Sequence, residues 1–311
     1  MHKLLFFESS RKTFKQVTDL YDFIWPTVTA MWNLRWQVAG YKHVNPSCTE
    51  EELTNRFITG SGIHGASLTK ACIKDTWEKQ REIFAQFLLI EVCALFEGWL
   101  EDVLIKISKN EKSNLKNLQF PSTNKAGLSF ALNNIRQSRS RLVEQCFYLE
   151  LLRNKKNNIQ KIENLLICYR YFKECRNAHM HQGGIANQNM ENAYNRFTVL
   201  TPSDITASEI PKHYPIKNMH VVKLSLRGVV GLSDVILKLI ATLDAELSLA
   251  ESAEIEFDER WLLVNGRRFS LKSNVENRNK QVSRLTKKLG YPKPADIEYL
   301  IRYLIKRRFI T

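Results

Sequence analysis

The chain has 311 residues, of which 44% are hydrophobic and 25% charged, with only 12 glycines and 8 prolines. This composition can form one large domain or two, and it excludes a disordered, collagen-like or low-complexity protein. The unusual property is a net charge of +14, which indicates a polyanionic partner, most simply nucleic acid, ahead of an anionic membrane or colloidal solubility.

The six cysteines include no Cys-x-x-Cys pair, and Cys93, Cys168 and Cys175 lie inside apolar helical patterns. We interpret all six as reduced structural thiols and expect a soluble, cytoplasmic protein. The apolar stretch at residues 4–7 is too short for a signal peptide. Charged residues interrupt the longest apolar runs, so we expect no membrane span.

The first predicted element is an aromatic-rich helix around residues 21–41, which contains Trp25, Trp32 and Trp36. We expect these rings to pack in a helical core rather than to stack on nucleic-acid bases. Turn signals follow, among them Gly60-Ser61-Gly62. We interpret this glycine-rich stretch as an ordinary loop, because no Lys-Ser/Thr follows to complete a phosphate-binding loop.

Long helical segments are predicted between residues 77 and 250, because apolar residues recur there at steps of three and four. Their approximate bounds are 77–107, 128–153, 159–182 and 225–250. The third of them stops at Gly183-Gly184, a common signal for a helix C-terminus. Residues 185–219 are polar and contain three prolines, so we expect a long loop there.

The C-terminal part of the chain has a different pattern. Residues 255–271 are rich in aromatic and β-branched types around Asn265-Gly266, which predicts a β-hairpin with a type I′ turn. Two helical stretches follow, a basic one at about residues 278–289 and another that begins near Asp296. The predicted fold is therefore mainly α, with a helical extension (1–75), a long-helix domain (76–250) and a small ββαα tail (251–311).

Positive charge is concentrated in two regions. Residues 105–180 carry 15 basic and 5 acidic side chains, a net charge of +10, and residues 271–311 carry 11 and 3, a net charge of +8. The remaining segments together carry −4. We interpret both regions as candidate nucleic-acid contacts, although solvation of a helix face is the simpler explanation for any single Lys or Arg.

Candidate chemistry lies at the end of the predicted helix 159–182, where Arg176, Asn177 and His181 follow the pattern Arg-Asn-x-x-x-His. An Arg fork suits a phosphate group, and an imidazole transfers protons near neutral pH. On a regular helix Arg176 and His181 point about 140° apart, whereas His179 lies nearer the Arg176 stripe. Three explanations are open: the helix end unwinds, the two groups face a cleft from different sides, or His179 is the working imidazole.

Glu91 is a further candidate, because it lies within the apolar stripe of the predicted helix 77–107. A carboxylate buried there must be paired or protonated. One interpretation pairs Glu91 with Arg176 or a histidine and lets it orient the site. The other is that the edge of the stripe reaches solvent.

The motif Arg176-Asn177-x-x-x-His181, the long helical frame and the Phe-Glu-Gly-Trp-Leu-Glu stretch at residues 96–101 together resemble the HEPN superfamily (higher eukaryote and prokaryote nucleotide-binding domain). The resemblance covers about residues 76–250 and implies a HEPN-like helix bundle. It also implies a metal-independent endoribonuclease without a cofactor, in which two protomers bring their Arg and His motifs together. Arg176, Asn177 and His181 would be the catalytic residues, with His179 and Glu91 in support. Cleavage through the 2′-hydroxyl would leave a 2′,3′-cyclic phosphate.

The partners implied by this resemblance are RNA, a second copy of the chain, and an antitoxin or other regulatory protein, since many members are bacterial toxins or antiphage effectors. The competing hypothesis is a non-catalytic nucleic-acid-binding or dimeric regulatory module. The tail is either a winged-helix-like accessory that binds nucleic acid or a partner, or a helical lid that extends the dimer interface.

Overall fold

The computed structural model describes residues 4–107, 111–267 and 269–310. This part of the chain is mainly helical, which confirms the prediction of a mainly α protein, and its β-structure is confined to isolated bridges. Its α-helices, numbered in chain order, are α1 (Glu8–Val44), α2 (Glu50–Phe57), α3 (Trp77–Ile107), α4 (Glu111–Leu118), α5 (Leu128–Ile135), α6 (Arg141–Cys146), α7 (Tyr148–Leu152), α8 (Ile162–His181), α9 (Gln188–Phe197), α10 (Leu226–Leu247), α11 (Glu254–Asn265), α12 (Val275–Lys288) and α13 (Ile297–Lys306).

Helices α3, α8 and α10 form the centre of the fold, and α1 packs along α3 and α10. Their apolar faces meet in one core that contains the fully buried rings of Phe96, Trp99 and Tyr169. Phe96 and Tyr169 make an edge-to-face contact across α3 and α8, with ring centroids 4.7 Å apart. Complete burial of one such side chain stabilises the fold by about 1.5–3 kcal/mol, so these contacts fix how α3 and α8 lie against each other.

Both ends of the chain contribute to this same core. Phe6 and Phe7 precede α1 and are fully buried, and Tyr291 of the tail packs against Phe6 with a centroid distance of 5.2 Å. Phe147 stacks on Tyr291 at 5.5 Å and also contacts Phe257 of α11. The extension and the tail therefore share one apolar core with the central helices.

A second, smaller core lies beneath the far end of α1. It contains Val38, Leu53, Leu68 and Cys72 and is closed by α2 and a π-helical turn at Lys70–Lys74. A capping box at Thr49 begins α2, in which the side chains of Thr49 and Glu52 bond to each other's backbone N–H groups. All six cysteines of the chain are buried free thiols, in agreement with the structural role predicted for them.

The tryptophans of α1 lie outside the core, so the expectation of core packing for them is wrong. The exposed fractions of Trp25, Trp32 and Trp36 are 48%, 38% and 61%. The inner face of α1 is formed instead by smaller side chains, including Val17 and Ile24. The helical period of the tryptophans thus placed them on one helix without identifying which face of the helix is buried.

The predicted β-hairpin at residues 255–271 is also wrong, because residues Glu254–Asn265 form helix α11. Phe257 and Trp261, four residues apart, lie on one face of that helix and are fully buried. Gly266 has a φ of +71° and follows the last helical residue, so Asn265-Gly266 ends a helix rather than turning a hairpin. Tertiary burial here outweighs the β-propensity of the aromatic and β-branched residues.

Two further segments differ in detail from prediction. The segment expected to be a loop at residues 185–219 contains α9, whose Phe197 stacks on Tyr171 of α8 at 4.6 Å. The single helix expected at residues 128–153 is divided into α5, α6 and α7. Helix α8 ends as predicted before Gly183 and Gly184, which have φ values of +58° and +78°.

Helix α3 is long and apolar enough to cross a membrane by length and composition alone, with a mean hydropathy of 1.7 over its most apolar 18 residues. Core helices of soluble proteins have the same property. Its buried side chains, from Ala85 to Ile107, face α1, α8 and α10.

Candidate active site on helices α3 and α8

Helices α3 and α8 run in opposite directions, and this arrangement determines which side chains meet. Tyr169, in the middle of α8, contacts Glu97 of α3. His179, near the end of α8, lies within electrostatic range of Glu82, near the start of α3. The Arg-Asn-x-x-x-His segment therefore lies beside the stretch of α3 between Glu82 and Glu97.

Glu97 is the centre of a polar cluster on these two helices. Its Oε2 lies 3.3 Å from Nη2 of Arg176, and its Oε1 lies 3.1 Å from Nζ of Lys173. The hydroxyl of Tyr169 donates to the same Oε1 at 2.9 Å, and burial raises the pKa of this tyrosine well above its usual value, so it stays a neutral donor. Two cations thus surround one carboxylate, which leaves the cluster with one excess positive charge.

The guanidinium of Arg176 has more N–H donors than it has acceptor partners among the described residues. Its Nη1 donates to Oδ1 of Asn177 at 3.1 Å and its Nη2 donates to Glu97, whereas its Nε is buried and has no acceptor among the described residues. A guanidinium carries five N–H donors, so the planar fork has capacity beyond these two contacts. Its side chain is 21% exposed, which makes part of the fork accessible to an anion from solvent.

Cys93 lies beneath this cluster and is fully buried. Burial, together with the nearby charge of Glu97, raises the pKa of the Cys93 thiol to about 12. A thiol in that state is neither a nucleophile nor a metal ligand near neutral pH. We therefore assign Cys93 to packing.

The two histidines of the motif have different environments. Helix α8 stays regular through His181, so unwinding of the helix end does not bring His181 to Arg176. His181 is exposed, and neither of its ring nitrogens bonds to a described residue. On this regular helix Arg176 and His181 therefore point away from each other within one chain.

His179 is partly buried between α3 and the glycines that follow α8. A Cβ added to Gly184 would lie 3.4 Å from its Nδ1, so the ring packs beside this glycine. Its Nε2 is buried without a partner among the described residues. Burial lowers the pKa of His179, and the nearby charge of Glu82 opposes that change only in part, so the ring is mostly neutral at pH 7.

Glu91 does not join the site. It is exposed and makes no ion pair with a described residue, so the edge of the stripe reaches solvent there. Glu97 holds the position beside Arg176 that was considered for Glu91. Glu97 lies four residues after Cys93 and three before Leu100, both buried, and so shares their face of α3.

Within the described residues, no group of three or more His, Cys, Asp or Glu side chains is arranged to hold a metal ion.

Comparisons with known proteins give no match, whether with protein-family models, curated proteins or solved structures. The arrangement itself offers the cationic fork of Arg176, a second cation in the ammonium group of Lys173, and two imidazoles near the end of one helix. Those groups can bind a phosphodiester and move a proton.

Proposed function

We propose that the protein is a metal-independent endoribonuclease of the HEPN type, acting as a dimer. The observation that carries this proposal is the excess of cationic donors at Lys173 and Arg176 over the single carboxylate Glu97, on the helix that ends with the exposed imidazole of His181. A phosphodiester supplies the anionic oxygens that such a cluster lacks. The motif Arg176-Asn177-x-x-x-His181 supports the same assignment through its resemblance to that superfamily.

In this mechanism the 2′-hydroxyl oxygen attacks phosphorus, the bond from phosphorus to the 5′-oxygen breaks, and a 2′,3′-cyclic phosphate forms. Arg176 binds the non-bridging oxygens and stabilises the charge that develops on them. His181 transfers a proton, either from the attacking 2′-oxygen or to the leaving 5′-oxygen. Asn177 and Glu97 hold the Arg176 fork through the contacts at 3.1 and 3.3 Å, and we assign them positioning roles.

A dimer provides both an imidazole and a guanidinium at one phosphate. Arg176 and His181 of a single chain point away from each other on a regular helix, so the His of one protomer and the Arg of its partner would complete each site. Exposed apolar side chains flank the motif, with exposed fractions of 69% for Phe87, 42% for Ile83 and 50% for Met180. Burial of these side chains favours association next to the site.

The proposal is tested by cleavage of single-stranded RNA by the purified protein in EDTA. We expect cleavage by the wild type, and a loss of at least about 100-fold for Arg176→Ala and for His181→Ala with folding retained; RNA affinity should be unchanged for His181→Ala and lower for Arg176→Ala, which removes a phosphate contact. Arg56→Ala and His43→Ala are matched controls, because both side chains are exposed and lie outside the site. Equal cleavage by the variants and the wild type would refute the site assignment.

The second candidate function is a non-catalytic nucleic-acid-binding or regulatory module. One observation favours it, because His181 makes no contact with Arg176 within the chain. Tight, salt-dependent RNA binding without any cleavage, by a protein that is dimeric in solution, would select this function.

In cells, we propose a cytoplasmic toxin or antiphage-defence effector that is controlled by an antitoxin or another regulatory protein. Expression of the wild type is expected to arrest bacterial growth, and His181→Ala to relieve the arrest at equal protein level. Arrest of equal strength with His181→Ala would separate toxicity from the proposed chemistry.

A further inference from the structure

A cavity of about 1000 Å³ lies outside the site described above. Its walls come from the segment at residues 153–156 that follows α7, the loop at residues 205–211 and the first half of α10. None of the residues of the Glu97 cluster lines it. Its volume is in the range of pockets that bind small organic ligands.

Contacts within the protein fix the loop that forms one wall of the cavity. Lys238 of α10 is buried, and its ammonium donates to the carbonyl oxygens of Ile205 and Thr206, at 3.2 and 2.8 Å, which fixes the loop against the helix. A Cβ added to Gly231 would lie 3.0 Å from Pro211, so the glycine permits close approach of the loop to α10. Because the walls of the cavity are already ordered, little of the binding free energy is lost to ordering the loop and side chains when a ligand binds.

Cations outnumber carboxylates in the lining. Five basic side chains face two acidic ones, Glu209 and Asp234, a net charge of +3. Asp234 lies between Lys156 and Lys238 and pairs with both. Arg227 pairs with Glu209 through two contacts, at 2.8 and 2.7 Å.

Most of the basic side chains lie on one wall. Three of the five cations, Arg153, Lys155 and Lys156, come from a single segment of four residues. Lys155 is exposed and has no ion-pair partner in the described part of the chain. Arg153 is 72% exposed and pairs only with Glu150, which does not line the cavity. Lys156 pairs with Asp234, so Lys155 and the exposed Arg153 are the cations of this wall that an anionic group can reach.

The remaining lining is largely apolar and includes Ile205, Ala207, Pro211 and Val230. An inorganic anion would leave this surface in contact with water, and a purely apolar ligand would cover the cations without compensating them. A ligand with a phosphate at one end and an apolar or flat group at the other satisfies both walls.

We propose that this cavity binds a small organic phosphate. The phosphate lies on the wall formed by Arg153, Lys155 and Lys156, and the non-phosphate part of the ligand packs on Ala207, Pro211 and Val230. This site is independent of the proposed ribonuclease function, because the two share no residue.

The test is calorimetric titration of the full-length protein with four probes: AMP, ATP, glucose 6-phosphate and inorganic phosphate. Adenosine and glucose serve as their unphosphorylated counterparts. We expect saturable binding of at least one organic phosphate, at least about tenfold tighter than of inorganic phosphate or of the unphosphorylated counterpart. Lys155→Glu and Arg153→Glu are expected to weaken that binding about tenfold or more, because they place a carboxylate beside the phosphate.

Lys12→Glu is the matched control, since this exposed lysine of α1 lies outside the cavity, and Arg176→Ala tests independence from the other site. Both are expected to bind as the wild type does. The proposal is overturned if no organic phosphate binds more tightly than millimolar, or if Lys155→Glu and Arg153→Glu bind as well as Lys12→Glu does. Binding of an RNA oligonucleotide at this wall, without any of the small probes, would overturn it equally.

Discussion

Two polar clusters in this fold contrast in how completely their charges are satisfied. At the C-terminal end of α10, Asp244 accepts the backbone N–H groups of Phe6 and Phe7 at 2.6 and 3.0 Å and is fully buried. Beside it, Glu246 accepts from Arg136 at 2.6 Å and from Tyr148 at 2.8 Å. Each of these carboxylate oxygens has a partner within the chain.

In the Glu97 cluster between α3 and α8, by contrast, cationic donors outnumber the carboxylate that accepts from them. Lys173 and Arg176 share one carboxylate, and Nε of Arg176 has no acceptor among the described residues. A satisfied cluster joins parts of the fold, here the N-terminus to α10, whereas a cluster with excess donors is suited to an external anion. The comparison predicts that changes at Asp244 affect stability, and that changes around Glu97 affect RNA binding and cleavage as well.

The largest stability effect is expected for Asp244→Ala. It leaves two buried N–H groups without an acceptor, so the free energy of unfolding should fall by about 3 kcal/mol or more. Urea denaturation measures the change. The control is Asp102→Ala, at an exposed position of α3, which should lower the free energy of unfolding by less than about 0.5 kcal/mol. A fall of under about 1 kcal/mol for Asp244→Ala would show that this cluster does not hold the N-terminus in place.

The loss of stability in Asp244→Ala should depend on pH. Burial raises the pKa of Asp244 to about 6, despite the opposing hydrogen bonds from Phe6 and Phe7. Between pH 4 and 6 the folded state therefore binds this proton more strongly than the unfolded state does, and the contribution of Asp244 to stability falls as pH rises through that window. The difference between wild type and Asp244→Ala should be larger at pH 4 than at pH 7, by about 2 kcal/mol. A stability difference between wild type and Asp244→Ala that grows as pH rises would contradict the raised pKa of Asp244.

Smaller stability effects are expected at Glu97, where two variants separate its roles. Glu97→Ala leaves the buried hydroxyl of Tyr169 without an acceptor and should cost about 1–2 kcal/mol, whereas Glu97→Gln keeps an acceptor and should cost less than about 1 kcal/mol. Both variants leave Lys173 and Arg176 unneutralised, so RNA affinity should rise several-fold at low salt. Fluorescence anisotropy with labelled RNA measures this, and a lower affinity for both variants would exclude an anion site here.

The smallest effects distinguish the two histidines. His179→Ala should lower the free energy of unfolding by about 1 kcal/mol, because the ring is partly buried, and exposed His181→Ala by less than about 0.5 kcal/mol. Burial lowers the pKa of His179, so its contribution is present above the unfolded pKa of about 6.5 and is lost as pH falls below it. Thermal unfolding from pH 7.5 to 5 measures both effects. If the stability of the two variants depended on pH in the same way, the claim that His179 is partly buried and His181 exposed would be contradicted.

Periodicity predicted the long helices well and their exposed faces poorly. The bounds of α3 and the end of α8 agree with prediction, because long amphipathic patterns and a glycine stop are local signals. The exposure of Trp36 and the helical state of residues 254–265 depend on what each segment packs against, which no local pattern contains.

At the candidate site, the sequence pointed to the Arg176 segment as a hypothesis and did not indicate that Glu97 is the partner of Arg176. Choosing Glu97 over Glu91 requires knowing which stripe of α3 faces α8, and the apolar residues of α3 occur on more than one side of the helix. The position of Lys173, three residues before Arg176, is visible in the sequence as a shared helix face. Its contact with Glu97 follows only from the packing of the two helices.

The most direct test of the central claim is the chemistry of the RNA ends after cleavage in EDTA. Attack by the 2′-hydroxyl at the Arg176 and His181 site predicts a 2′,3′-cyclic phosphate on one fragment and a 5′-hydroxyl on the other, both absent with Arg176→Ala. Fragments that end in a 3′-hydroxyl and a 5′-phosphate would contradict the mechanism.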